Sequence, residues 1–292
     1  MKQFYLAEIV TKDNLIHQGL FYKPKNAGKK AMLLVHGLSS TFYAGKAMLE
    51  AFADVCEKEG VGFAAFNNRG NGLISGMKKV DPTNDKGYTH TYGGAGYEVF
   101  EECVLDIEAG VEFLKKQGFS EVILVGHSTG CNKICYTLGT TKLPIVSGVV
   151  LLSPLSDRLD PQTKIPWFLF PVTKLLVKLG WGNKLITGIS YLPGTPKRFL
   201  SLFSPHSNED TFDYGDTHPK MTFYSQIVYP LLVVFGSHDE YLDRPVHKVK
   251  NVFDTLQHSK KYKSLVVQNA LHSYNGNETE VAKTILQWVR ML

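Results

Sequence analysis

The sequence predicts an α/β fold: a mostly parallel central sheet with helices on both faces, an N-terminal antiparallel hairpin, and a helical cap inserted between two core strands. Three observations carry this. Short, continuous apolar runs recur along the chain and end in glycine or polar corners, as strands buried on both faces of a parallel sheet do. Stretches with helical apolar spacing separate these runs, the alternation that builds β-α units with right-handed crossovers. The opening "QFYLAEIVTKDNLIHQGLFYKP" places two alternating runs around a polar "TKDN", the pattern of a hairpin.

After the hairpin, "KAMLLVHG" reads as a strand ending at Gly37 and "VGFAAFNNRG" as one ending at Gly70. "YEVFEECVLDIEAGVEFLKKQG" puts Val99, Cys103, Ile107 and Val111 on one helical stripe, with Gly118 as the stop. "EVILVGHS" is the next strand, ending at Ser128, with "CNKICYTLG" as the helix behind it, and "VSGVVLLSP" follows. "PLLVVFGSHD" ends at Asp239 and "KSLVVQNALH" at His272. The last helix, "NETEVAKTILQWVRML", has Asn277 as N-cap and Glu280 three residues on. From 156 to 225 no strand signal is convincing; Val172, Leu175, Leu176 and Leu179 have helical spacing there, with Lys174 and Lys178 on the other side. So long a stretch without structure is unusual. The expected division is a core of residues 1–155 and 226–292 and a helical cap, or lid, of residues 156–225.

Composition narrows the function classes. The 292 residues are 43% hydrophobic and 20% charged, ordinary for a globular chain. Net charge is +5, without a basic run that would track a phosphate backbone, so nucleic acid is not an expected partner. Cys56, Cys103, Cys131 and Cys135 form no C-x-x-C pair. They read as core thiols, which favours a reducing compartment. "MKQFYLAEIVTKDN" lacks the apolar core of a signal peptide. The most apolar window, Ile165 to Leu179, is interrupted by prolines and lysines and is too short to span a bilayer. Cytoplasmic location without stable membrane insertion is therefore expected. There is no Walker sequence, no H-E-x-x-H and no paired-cysteine metal site. "RGNGLISG" has Ser75 where a dinucleotide loop needs its third glycine. No motif fixes an oligomeric state.

"GHSTG" fits G-x-S-x-G, with an apolar strand before it and a helix after. A serine on so sharp a turn needs small residues two positions either side, which Gly126 and Gly130 supply. Thr129 opens the helix, so its N–H has no intrahelical acceptor and sits where the helix favours negative charge. A serine nucleophile needs a base. His272 lies past a strand end and before the final helix, and is the candidate. The base needs an acid to set its tautomer. Asp239 comes first out of its strand and is favoured, with Glu240 and Asp243 as competitors. The oxyanion donors would be the backbone N–H groups of Thr129 and of Leu38, in the loop after "LLVHG". Trp167, Phe168, Phe170 and Trp181 are candidates for contact with a hydrophobic or aromatic part of a substrate, against ordinary cap packing as the alternative.

"LLVHG", "FNNRGNG", "VGHSTG", "GSHDEYL" and "NALHSYNG" resemble, in order and spacing, the corresponding segments of the α/β-hydrolase superfamily. The order Ser128, Asp239, His272 is that of its triad. The resemblance covers almost the whole chain outside the cap. It implies a serine esterase that needs no cofactor and no metal, acting on a small-molecule ester through an acyl-enzyme. "FNNRGNG", "GYEVFEECVLDIEAGVEFL" and "GHSTGCNK" further resemble esterases related to fungal siderophore esterases; Asn67-Asn68 stands where many relatives carry an Asp. The same triad also serves acyltransferases, thioesterases and amidases, and a hydrolase fold also serves as a ligand-binding receptor or scaffold. The Val172 to Leu179 stripe leaves open contact with a membrane surface.

Overall fold

The computed structural model describes residues 3–163, 165–188, 190 and 192–292. The strands are β1 (Tyr5–Val10), β2 (Leu15–Tyr22), β3 (Lys30–Val35), β4 (Gly62–Phe66), β5 (Ser75–Val80), β6 (Tyr88–Gly93), β7 (Glu121–His127), β8 (Val146–Leu152), β9 (Leu231–Gly236) and β10 (Tyr262–Val267). The α-helices are α1 (Lys46–Glu59), α2 (Cys103–Lys116), α3 (Thr129–Thr140), α4 (Leu169–Leu176), α5 (Pro196–Phe203), α6 (Thr222–Ser225), α7 (Val246–Leu256) and α8 (Glu278–Arg290). The strands form one sheet in the order β10-β9-β8-β7-β3-β4-β2-β5-β6, with β1 paired to β2. From β10 to β4 every pairing is parallel. The pairings of β2, β5 and β6 are antiparallel, as is the β1–β2 hairpin.

The central strands are continuously apolar because both their faces are covered. Along β7, Val122 and Leu124 face a core shared with α2, α3 and α7. The alternate residues Ile123 and Val125 face a second core with α1 and α8. In β9, Leu231, Val233 and Phe235 join the first core and Leu232 and Val234 the second. This two-residue alternation lets one short run serve two layers. Burying each such side chain contributes about 1.5–3 kcal/mol. All four cysteines are free and buried, and burial pushes their thiols up, so they act as packing groups.

Some local expectations differ from the structure. The β5–β6 hairpin carries no alternating apolar pattern: apart from Met77 and Gly93 its residues are at least partly exposed. Val99 leaves the α2 stripe and is exposed, because the helix begins only at Cys103. Asn277 does sit at the N-cap of α8, but its side chain accepts no hydrogen bond from the first turn. Gly118 has φ +97, as a helix stop should. Between β8 and β9 the chain makes a 3-10 turn (Asp157–Leu159), α4, a π turn (Val177–Trp181), α5 and α6. The bridge of Ile186 with Gly194 is its one strand-like pairing among the described residues. Ala95, Leu192, Phe199, Leu202 and Phe203 form a third apolar cluster under this insertion. Further on, Phe212, Tyr214, Met221 and Tyr224 join the first core.

Candidate active site

Ser128 stands between β7 and α3 with φ 56 and ψ −130. That region disfavours any residue with a Cβ, and the surrounding packing must hold it there. Glycines make the corner possible. A Cβ on Gly130 would lie 2.1 Å from the Val35 carbonyl oxygen, and one on Gly126 would lie 2.8 Å from the Cys131 nitrogen. A Cβ on Gly37 would lie 2.7 Å from Ser128 Cβ, so the β3 loop passes directly beside the serine. The Ser128 N–H donates to the Leu152 carbonyl at 3.0 Å, and the Ser128 carbonyl accepts from the Cys131 N–H at 2.9 Å.

His272 and Asp239 are brought together from the ends of β10 and β9. His272 Nδ1–H donates to both Asp239 carboxylate oxygens, at 2.9 and 3.0 Å. Both residues are buried. Among the three acids after β9, Asp239 alone meets the ring: Glu240 accepts the His272 backbone N–H at 3.0 Å, and Asp243 pairs with Arg244. Ser128 and His272 line one cavity of about 460 Å³, shared with Leu38, Asp157, Gln162 and Tyr241. No hydrogen bond joins the Ser128 hydroxyl to the imidazole among the described residues; such contacts often tighten only when substrate binds. The Leu38 and Thr129 N–H groups have no acceptor within the protein among the described residues. Leu38 lines the cavity, and Thr129 is the first residue of α3.

The four aromatic residues singled out in the insertion do not line this cavity. Trp167, Phe168 and Trp181 are exposed. Phe170 packs on Phe199, ring centroids 5.5 Å apart, over the third cluster.

A family model described as "Protein of unknown function (DUF1749)" matches residues 86–291. The chain belongs to that family. Its structure resembles the esterase Pf2001 of Pyrococcus furiosus, with TM-score 0.60 at 19% identity, over 99% of this chain and 91% of that one. It also resembles the siderophore hydrolase EstB of Aspergillus fumigatus, with TM-score 0.64 at 16% identity, over 99% and 98% of the two chains. Est1E of Butyrivibrio proteoclasticus, solved with ferulic acid bound, gives TM-score 0.64 at 16% identity, over 98% of each chain. These likenesses establish the α/β-hydrolase fold for this DUF1749 member. Among curated proteins, none matches the sequence.

Within that fold, several groups that sequence reading passed over hold the site. The His127 Nε2–H donates to the His272 carbonyl at 3.0 Å, and the Ser153 hydroxyl donates to the same oxygen at 2.9 Å. Burial holds His127 down to about 4, so it stays neutral and keeps this donor role. His36 is likewise lowered to about 4, first by burial and then by Lys133; its Nε2 accepts the Asn68 N–H and its Nδ1–H donates to the Gly37 carbonyl. The Tyr241 ring meets the His272 ring edge-on at 4.7 Å. A second cavity of about 320 Å³ adjoins the first through Ser40, His127 and Ser273. Its walls include Met48, Leu49, Phe52 and Leu152, from α1 and the sheet. His127 had a readable signal, its place inside "GHSTG"; the others are joined only by tertiary contact.

Proposed function

We propose that this chain is a serine hydrolase of carboxylic esters, with Ser128 as nucleophile, His272 as base and Asp239 as the acid that orients it. The observation that supports this most is the strained Ser128 corner opening into one cavity with an imidazole whose Nδ1 is clamped by a buried carboxylate. The clamp leaves Nε2 as the free nitrogen. It takes the serine proton as Oγ attacks the ester carbonyl, and returns it to the departing alkoxide. Water then attacks the acyl-Ser128 ester, again deprotonated by His272. The Leu38 and Thr129 N–H groups hold the oxyanion, helped by the N-terminal end of α3.

The apolar portion of the ester lies in the cavity between α1 and the sheet, not against the exposed tryptophans. At about 30 Å³ per water-sized group, that volume accepts about ten heavy atoms. The esterase and siderophore hydrolase among its structural relatives make an ester the favoured bond.

Ser128→Ala tests the reading. Turnover of an aryl ester should fall by at least about 10⁴-fold while the melting temperature holds or rises, since the strained corner loses nothing it needs to fold. Asp239→Asn should lose about 10⁴-fold in kcat. Retained turnover in Ser128→Ala would refute the nucleophile.

A further inference from the structure

We propose that the outer face of α4 and of the turn after it docks on an anionic lipid surface. Phe168, Val172, Leu175 and Leu179 follow one another at helical spacing of four, three and four residues. They are 52%, 48%, 55% and 63% exposed. Trp167 and Trp181 flank this row at 80% and 49% exposed. The opposite face of the same helix is already used: Leu169 and Phe170 pack on the third cluster and Thr173 is buried. The helix is thus apolar on two sides, and only one has protein against it. Single exposed apolar side chains are ordinary, but a continuous row marks an interaction surface.

Charge selects the occupant. From 161 to 208 the chain has six Lys or Arg residues and no Asp or Glu. Arg198 among these is buried in ion pairs with Glu98 and Glu209, while Lys174, Lys178, Lys184 and Lys197 are exposed with no acidic residue between them in the chain. Lys174 and Lys178 each directly precede a leucine of the row, Leu175 and Leu179; the Lys184 ammonium lies 4.5 Å from the Trp181 ring centroid. An apolar row rimmed by lysines, with tryptophans at its ends, matches the boundary between acyl chains and anionic headgroups. A two-fold contact with a second copy would set these lysines against each other. Asp157, Asp160, Gln162 and Thr163, which line the Ser128 cavity, shortly precede this face in the chain.

Vesicle flotation tests this independently of turnover. The purified chain should float with vesicles of phosphatidylcholine containing about a third phosphatidylglycerol, should bind pure phosphatidylcholine less, and should be released by raised salt. The double variant Leu175→Asp, Leu179→Asp should bind at least about tenfold more weakly with its melting curve unchanged, because both side chains face solvent. Lys174→Glu with Lys178→Glu should lose the preference for anionic vesicles. The proposal fails if the wild type does not float at low salt, or if the Leu175→Asp, Leu179→Asp variant floats as well as it does. It also fails if sedimentation shows a dimer that this variant dissolves, which would place a second copy on the face.

Discussion

Burial, and then the Glu209 carboxylate, push the Asp157 carboxyl up to about 8. Around neutral pH this residue, in the wall of the Ser128 cavity, therefore holds its proton. One of its oxygens, Oδ2, is buried without a partner. The unfolded chain releases this proton near 4. The folded state thus binds a proton the unfolded state lacks across the interval from about 4 to 8. Its stabilising contribution is full below that interval and is lost as pH rises through the folded value. Asp157→Asn, which mimics the neutral acid, should raise stability at pH 8 by about 1 kcal/mol or more, a melting shift of about 2–4 °C. The gain should be smaller at pH 5; an equal gain at both would count against a protonated Asp157. Nothing in "SPLSDRL" announces this, because the shift comes from burial in the folded chain and then from Glu209, fifty-two residues away in the chain. Ser128, Asp239 and His272 could be picked as candidates from the sequence for the opposite reason. Each stands at the end of an apolar run, and a parallel sheet sends those ends to one edge.

At the scale of elements, the loop after β3 and the helix α1 each serve the site. The loop brings Gly37 against Ser128, and the helix lends Met48, Leu49 and Phe52 to the second cavity. Met48→Trp fills that cavity from the helix side. The ratio of octanoate to acetate ester kcat/KM should then drop by at least about tenfold, since each methylene kept out of an apolar site forfeits about 0.8 kcal/mol. An unaltered ratio would move the apolar portion of the substrate elsewhere. Strands β3, β7, β8 and β9 could be read directly because burial on both faces leaves few polar positions to confuse the pattern. The β5–β6 hairpin could not, because it lies at the sheet edge with most side chains toward water. The row in α4 was legible as a helix, but its spacing looks the same whether it faces in or out.

The whole molecule is tied together by a buried charged cluster. Arg198 of α5 pairs with Glu98 at 3.2 Å and with both oxygens of Glu209, and Lys133 of α3 pairs with Glu98 at 2.6 Å. The Arg198 Nε–H also donates to the Ala95 carbonyl at 2.7 Å. The insertion and the sheet layer thus meet through charges that water does not reach. Arg198→Met would strand Glu209 in the interior and should cost about 3–5 kcal/mol in urea unfolding, with little relief from salt. A loss below about 1 kcal/mol would mean the insertion is held by its apolar cluster alone.

His272 is suspended from its own peptide. Glu240 takes its N–H, while His127 and Ser153 share its carbonyl. None of those anchors comes from the adjoining loop positions. Leu271 is exposed, and Ser273 and Asn275 line the second cavity. Substitutions at Ser273 or Asn275 should therefore reshape the second cavity without moving the imidazole. Selectivity and reactivity are free to drift apart on the same few residues of chain.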